Sequence, residues 1–156
     1  NCIDRPRRVQ SDTRHGLRLL PSSKSIGAAG EYLACSIICS YGWAASLVDA
    51  EGYDIIATRG RDIMRVQAKT TRIVQRAGQG YQWQVCKGGQ KQTLTLEDCD
   101  MVALVALDVR KAIFVAVEEV EGQLTKRVSA STALSPGYGN DSWETALSYL
   151  IKRTHR

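Results

Sequence analysis

Residues 53–69 read Tyr53-Asp54-Ile55-Ile56-Ala57-Thr58-Arg59-Gly60-Arg61-Asp62-Ile63-Met64-Arg65-Val66-Gln67-Ala68-Lys69, two strand-forming runs around Gly60-Arg61. A two-residue loop with Gly first predicts a type II′ hairpin, and that turn fixes the register of both strands. Arg59 then faces Asp62, and counting outward sets Asp54 opposite Gln67. Opposed residues share a sheet face, as do residues two apart, so Asp54, Gln67 and Lys69 converge. Tyr53, Ile55, Ala57, Met64, Val66 and Ala68 form the other, core-facing set. Ile56 and Ile63 share the polar face, so that face is not simply a solvated one.

A carboxylate, an amide and an ammonium on one face suit phosphodiester hydrolysis. That reaction needs a cation held by carboxylate and neutral oxygens, and a positive charge near the attacked phosphate. Asp54 is the expected central metal ligand, with the Gln67 amide oxygen and the Ala68 carbonyl beside it. Lys69 is placed to orient or help deprotonate the attacking water and to balance charge building on the phosphate. Two carboxylates with neutral oxygens suit Mg²⁺, with Mn²⁺ as a substitute.

The second carboxylate comes from upstream. Ser25 is the expected cap of a helix over residues 26–41, with Gly42 as its stop. Ile26, Ala29, Leu33 and Ile37 form its apolar stripe, widened by Ala34 and Ile38, and Glu31 lies at the edge of that face. Gly27 and Gly30 each cost about 1 kcal/mol relative to Ala inside a helix, so a close approach to the backbone is expected there.

The remaining chain predicts a strand over 43–49 and an edge strand over 81–85. Further strands fall at 101–107, 112–117 and 124–128, and a capped helix opens at 141–144 and runs to 153. Tyr81 and Trp83 either stack on bases or pack the edge strand. The order helix, three strands, basic region, two strands, helix predicts an α/β (α+β) fold with a mixed sheet. Residues 1–24, polar with six basic side chains, read as an irregular arm before a single domain over 25–156.

Charge is unevenly spread. Residues 59–91 hold eight basic side chains (Arg59, Arg61, Arg65, Lys69, Arg72, Arg76, Lys87, Lys91) against one acid, Asp62, whereas from residue 97 acids outnumber bases nine to seven. Such asymmetry points to a polyanion-facing side, with nucleic acid the first candidate partner. No run approaches the ~20 apolar residues of a membrane span. The chain lacks an initiator Met, which fits a fragment of a longer protein. Five cysteines with no CxxC pair argue against a zinc site or disulfide framework, Cys35 and Cys39 reading as small core residues. Reduced thiols fit a cytoplasmic location.

The run Gly27-Ala28-Ala29-Gly30-Glu31, then Tyr53-Asp54, then Gln67-Ala68-Lys69-Thr70, resembles the PD-(D/E)XK nuclease superfamily. Within it the chain is most similar to the branch of cyanobacterial group I intron homing endonucleases and archaeal Holliday-junction resolvases. Residues 98–105 resemble the strand that follows the motif in that branch, and the likeness spans about residues 25–117. It implies a restriction-endonuclease-like core, Mg²⁺-dependent DNA cleavage, Glu31, Asp54, Gln67 and Lys69 as catalytic residues, and an intron- or phage-encoded origin. Two departures stand out: Gln67 replaces the usual acid, and no Pro precedes Asp54. Loss of that acid predicts weaker metal binding unless Glu31 compensates. Cutting both strands needs two sites, hence a homodimer or dimer of dimers. Two rivals remain: a junction-resolving nuclease, and a nucleic-acid-binding module that has lost turnover.

Overall fold

The computed structural model describes residues 21–74, 80–88 and 91–154; most of the basic arm and Arg76 lie outside them. The first element is helix α1 (Ser23–Ser40), followed by β1 (Ala44–Ala50), β2 (Tyr53–Arg59) and β3 (Asp62–Thr71). Short strands β4 (Tyr81–Gln84), β5 (Cys86–Lys87) and β6 (Gln92–Thr93) lead to β7 (Met101–Ala106) and β8 (Lys111–Ala116). The chain closes with β9 (Thr125–Val128), α2 (Ala130–Leu134) and α3 (Ser142–Thr154).

The five-stranded central sheet has the order β1-β2-β3-β7-β8, with β3 and β7 parallel and the other neighbours antiparallel. The fold is therefore α+β with a mixed sheet flanked by helices, as the order of elements predicts. The β2–β3 register is the expected one, from Arg59↔Asp62 to Ile55↔Val66. Gly60 sits at φ +62° and Arg61 stays out of the left-handed region, as a type II′ turn requires.

Alternation along fully buried β7 divides two cores. Met101, Ala103 and Val105 join Ile55, Ala57, Met64 and Val66 beneath α1 and α3, with Trp43, Phe114 and Trp143 packed edge to face. Val102, Leu104 and Ala106 lie on the other face with Tyr81, Trp83, Leu94 and Ala133. Trp83 and Tyr81 are each 1% exposed; Trp83 Nε1 donates to the Val105 carbonyl at 2.9 Å and Tyr81 Oη to Asp108 at 2.9 Å. They pack the second core and are closed to base stacking. Their strand is no edge of the central sheet: β4 pairs with β9 as a separate two-stranded ribbon.

Several sequence expectations are corrected. Helix α1 begins at Ser23, because Ser22 rather than Ser25 caps it, accepting the Ser25 N–H at 3.1 Å. In a run with serines at 22, 23 and 25, capping by the first lengthens the helix. Its buried positions are Gly30, Ala34 and Ile38, one turn apart; Leu33 and Ile37 flank them, and Ala29 and Cys39 face outward. Gly30 explains the rotation: a Cβ there would collide with the Thr70 side chain of β3, so helix and strand meet backbone to side chain at that point. Tyr53, expected beside Ile55, packs against the second cluster, its ring 6.0 Å from the Arg65 guanidinium carbon. The strand starts from Gly52 at φ +92°, wedged against Asp98, and regular alternation does not reach back to its first residue.

Candidate active site

Asp54 lies where the sheet forks. The β2–β3 ladder runs inward only to Ile55↔Val66, while β3 continues beside β7 to Thr71↔Ala106. Beyond the ladder the Asp54 side chain takes over as partner: Oδ2 accepts the Ala68 N–H at 2.9 Å and a hydrogen bond from Gln67 Nε2. Gln67 Nε2 also lies 3.3 Å from the Ala68 carbonyl oxygen. The Asp54 carboxylate and Ala68 carbonyl thus converge on one point, where the positive end of the Gln67 amide sits.

Lys69, two residues on, reaches over the same face and donates from Nζ to the Cys86 carbonyl at 2.9 Å. That contact lies between two open cavities. One, of 540 Å³, is lined by Gly27, Glu31, Lys69, Arg72, Gln82 and Gln84 among others. The other, of 590 Å³, is lined by Glu51, Asp54, Gln67, Lys69, Lys87 and Gln92 among others. Lys69 and Gly88 belong to both walls.

Glu31 enters from α1, whose seat on β3 is set by the Gly30–Thr70 approach. Burial pushes its carboxyl above the usual range, and the negative charge of Asp54 pushes it further. Asp54 is raised as well, by burial, against the opposing pull of the Ala68 N–H and the Lys69 ammonium. Two desolvated carboxyls that repel each other are a site short of positive charge. Among the described residues no group of three or more His, Cys, Asp or Glu is placed to hold a metal ion. A cation here would draw on Asp54, Glu31, the Ala68 carbonyl and, after a half-turn of its amide, Gln67 Oε1. That set is all oxygen, which fits a hard divalent cation and excludes a soft one.

The basic residues divide by position. Arg72 lines the first cavity and Lys87 the second; exposed Lys91 sits in the β5–β6 turn at φ +51°. Lys87 pairs with Asp98 at 2.7 Å. Burial pushes the Asp98 carboxyl up, but the Lys87 ammonium and the Thr95 donors outweigh it and hold it below its usual range. Arg59 lies over the Trp43 ring at 4.6 Å, beside exposed Arg61 at the hairpin tip. That tip is about 17 Å along the strand from Asp54, at ~3.4 Å per residue. Arg65 is spent inside the chain: it binds Asp100 at 3.2 Å and the carbonyls of Leu96 and Glu97 at 2.7 and 2.9 Å. Sequence reasoning missed Glu51, Gln82, Gln84 and Gln92 as cavity walls; only the alternation Tyr81-Gln82-Trp83-Gln84 hinted at the glutamines.

No family model matches the chain, and no curated protein matches it. Among solved structures it is similar to a bacterial homing endonuclease, I-Ssp6803I, with a TM-score of 0.65. The match covers 88% of this chain and 100% of that one, at 13% sequence identity. What the two chains share is their fold, a nuclease-like architecture that this chain builds around a mixed five-stranded sheet.

Proposed function

We propose that this chain is a Mg²⁺-dependent DNA endonuclease with a PD-(D/E)XK-type site made of Glu31, Asp54, Gln67, Ala68 and Lys69. One observation carries the reading: Asp54 and the Ala68 carbonyl converge on one point, with a second carboxyl and a lysine beside it. A shared fold with a homing endonuclease supports it.

Asp54 is held by the Ala68 N–H, so its free lone pairs are aimed rather than left to rotate. Glu31 adds the second negative charge, replacing in part what Gln67 lacks. Asp54, Glu31 and the Ala68 carbonyl would hold Mg²⁺, which when bound would supply charge neutralisation at the phosphate and a lowered pKa for the attacking water. Lys69 is kept over the junction of the two cavities by the Cys86 carbonyl, where its ammonium offsets the extra negative charge of the pentacoordinate phosphate. Arg72, Lys87 and Lys91, with Arg59 and Arg61 further out, hold the flanking phosphates. Two sites are needed to cut both strands, so the enzyme acts as a homo-oligomer.

The test is plasmid and linear-duplex cleavage in Mg²⁺ by the wild type, Asp54→Ala and Lys69→Ala, with four-way junctions in parallel. Cleavage by the wild type alone is expected. Undiminished cutting by either variant refutes the site; binding with no cutting in Mg²⁺ or Mn²⁺ favours a silent DNA-binding relative.

A further inference from the structure

We propose that the β4–β9 ribbon reads base sequence in duplex DNA, with Gln82, Gln84 and Arg127 as its specificity-determining side chains. The proposal rests on the DNA-nuclease reading above and extends it to which bases are chosen.

The ribbon has two unlike faces. Tyr81 and Trp83 point into the second core and stack on each other at 5.9 Å, which ties the strand to the sheet. Gln82 and Gln84 therefore point outward, and the register Gln82↔Arg127 and Gln84↔Thr125 brings four side chains to one outer face. Both glutamines line the same cavity as Glu31, Lys69 and Arg72. DNA whose phosphate lies at Lys69 thus has this face beside it.

The chemistry fits base edges better than phosphates. A glutamine amide pairs with adenine N6 and N7, and a guanidinium with guanine O6 and N7. Arg127 Nε donates to Gln82 Oε1 at 3.0 Å, which fixes the two side chains relative to each other. Gln82 Nε2 and the two terminal nitrogens of Arg127 make no hydrogen bond among the described residues, and Gln82 Oε1 keeps a second lone pair. A two-stranded ribbon is also one of the two elements that the major groove admits. Residues two apart on a strand are separated by about 6.8 Å, the rise of about two base pairs at 3.4 Å each. Gln82 and Gln84 therefore match positions two steps apart when the ribbon runs along the groove. The basic side chains of Lys69, Arg72 and Lys87 around it complement the duplex backbone.

The test is binding selection from a pool of randomised duplexes, in Ca²⁺ so that no cutting is required. Wild type, Gln84→Ala, Gln82→Ala and Arg127→Ala are compared, with circular dichroism confirming the fold of each. The wild type is expected to enrich particular bases, and each variant to lose about 5- to 150-fold of preference at one or two positions. Its affinity for the remaining pool and its salt dependence should stay unchanged. Wild-type preference retained in all three variants overturns the proposal, and so does a wild type that enriches no base. A wild type that selects bases here yet never cuts in Mg²⁺ would sink the nuclease reading while leaving the ribbon's role standing.

Discussion

Two glycines one turn apart in α1 give a controlled comparison of the helix–sheet contact that delivers Glu31. A Cβ on Gly27 meets nothing within 4 Å. Gly27→Ala should therefore stabilise the protein by about 1 kcal/mol through helix propensity alone. At Gly30 the same propensity gain is opposed, because the added Cβ lies 2.8 Å from both Thr70 Cβ and Cγ2 and closer still to Oγ1. Rotating Thr70 relieves the Oγ1 and Cγ2 clashes but not that with Cβ, which is fixed to a strand bound to β7. Helix α1 must back away, at an overpacking cost of about 1–3 kcal/mol. The two variants should then differ by about 2 kcal/mol, or about 4–8 °C in Tm for a chain of this size. Gly30→Ala should also cut less DNA, because Glu31 rides on the displaced turn. Metal-free thermal and urea melts decide it. A Gly30→Ala protein as stable as Gly27→Ala refutes the packing argument.

Further predictions concern the charges. The folded-state Asp54 carboxyl is raised by burial above the ~3.9 of an unfolded chain, so the native state holds its proton more tightly. Its contribution to metal-free stability is therefore lost as pH rises from about 4 through the raised value. Asp54→Asn, which keeps an acceptor for the Ala68 N–H, should melt higher than wild type in EDTA near pH 7, with the gap closing toward pH 4; a gap independent of pH would contradict this. Binding to non-specific duplex should weaken with salt, and Arg61→Ala or Arg72→Ala should each lower the log–log slope by about 1. Arg65→Ala should leave that slope alone and instead cost about 2 kcal/mol of stability, since it removes charge-assisted bonds to Asp100 and the loop before β7. Equal slopes for Arg61→Ala, Arg72→Ala and wild type would remove those two arginines from the DNA path.

The hairpin was legible because its information is local. Gly60-Arg61 sets the register and period two does the rest, so Asp54, Gln67 and Lys69 came out on one face and the helix–sheet order followed. Glu31 could be placed only at the edge of its helix face, because the helix's roll on the sheet depends on Thr70, forty residues downstream of Gly30. Long-range pairings were invisible for the same reason. Nothing in Tyr81–Gln84 announces β9 more than forty residues later, and nothing in Arg65 announces Asp100. An arginine in a basic run therefore read as a phosphate contact when its donors are committed within the chain. Tyr53 failed differently: a positive φ at Gly52 breaks the alternation that the strand pattern assumed.

Whether the site works as a metal-dependent nuclease depends on what fills the point between Asp54 and the Ala68 carbonyl. Anomalous diffraction from a crystal soaked in Mn²⁺ examines that point directly. The expected result is an anomalous peak bound by Asp54 and the Ala68 carbonyl, with Gln67 turned to offer its oxygen and Glu31 drawn toward the ion. Gln67 Nε2 still bridging Asp54 and Ala68 in saturating Mn²⁺, with no peak beside them, would contradict it.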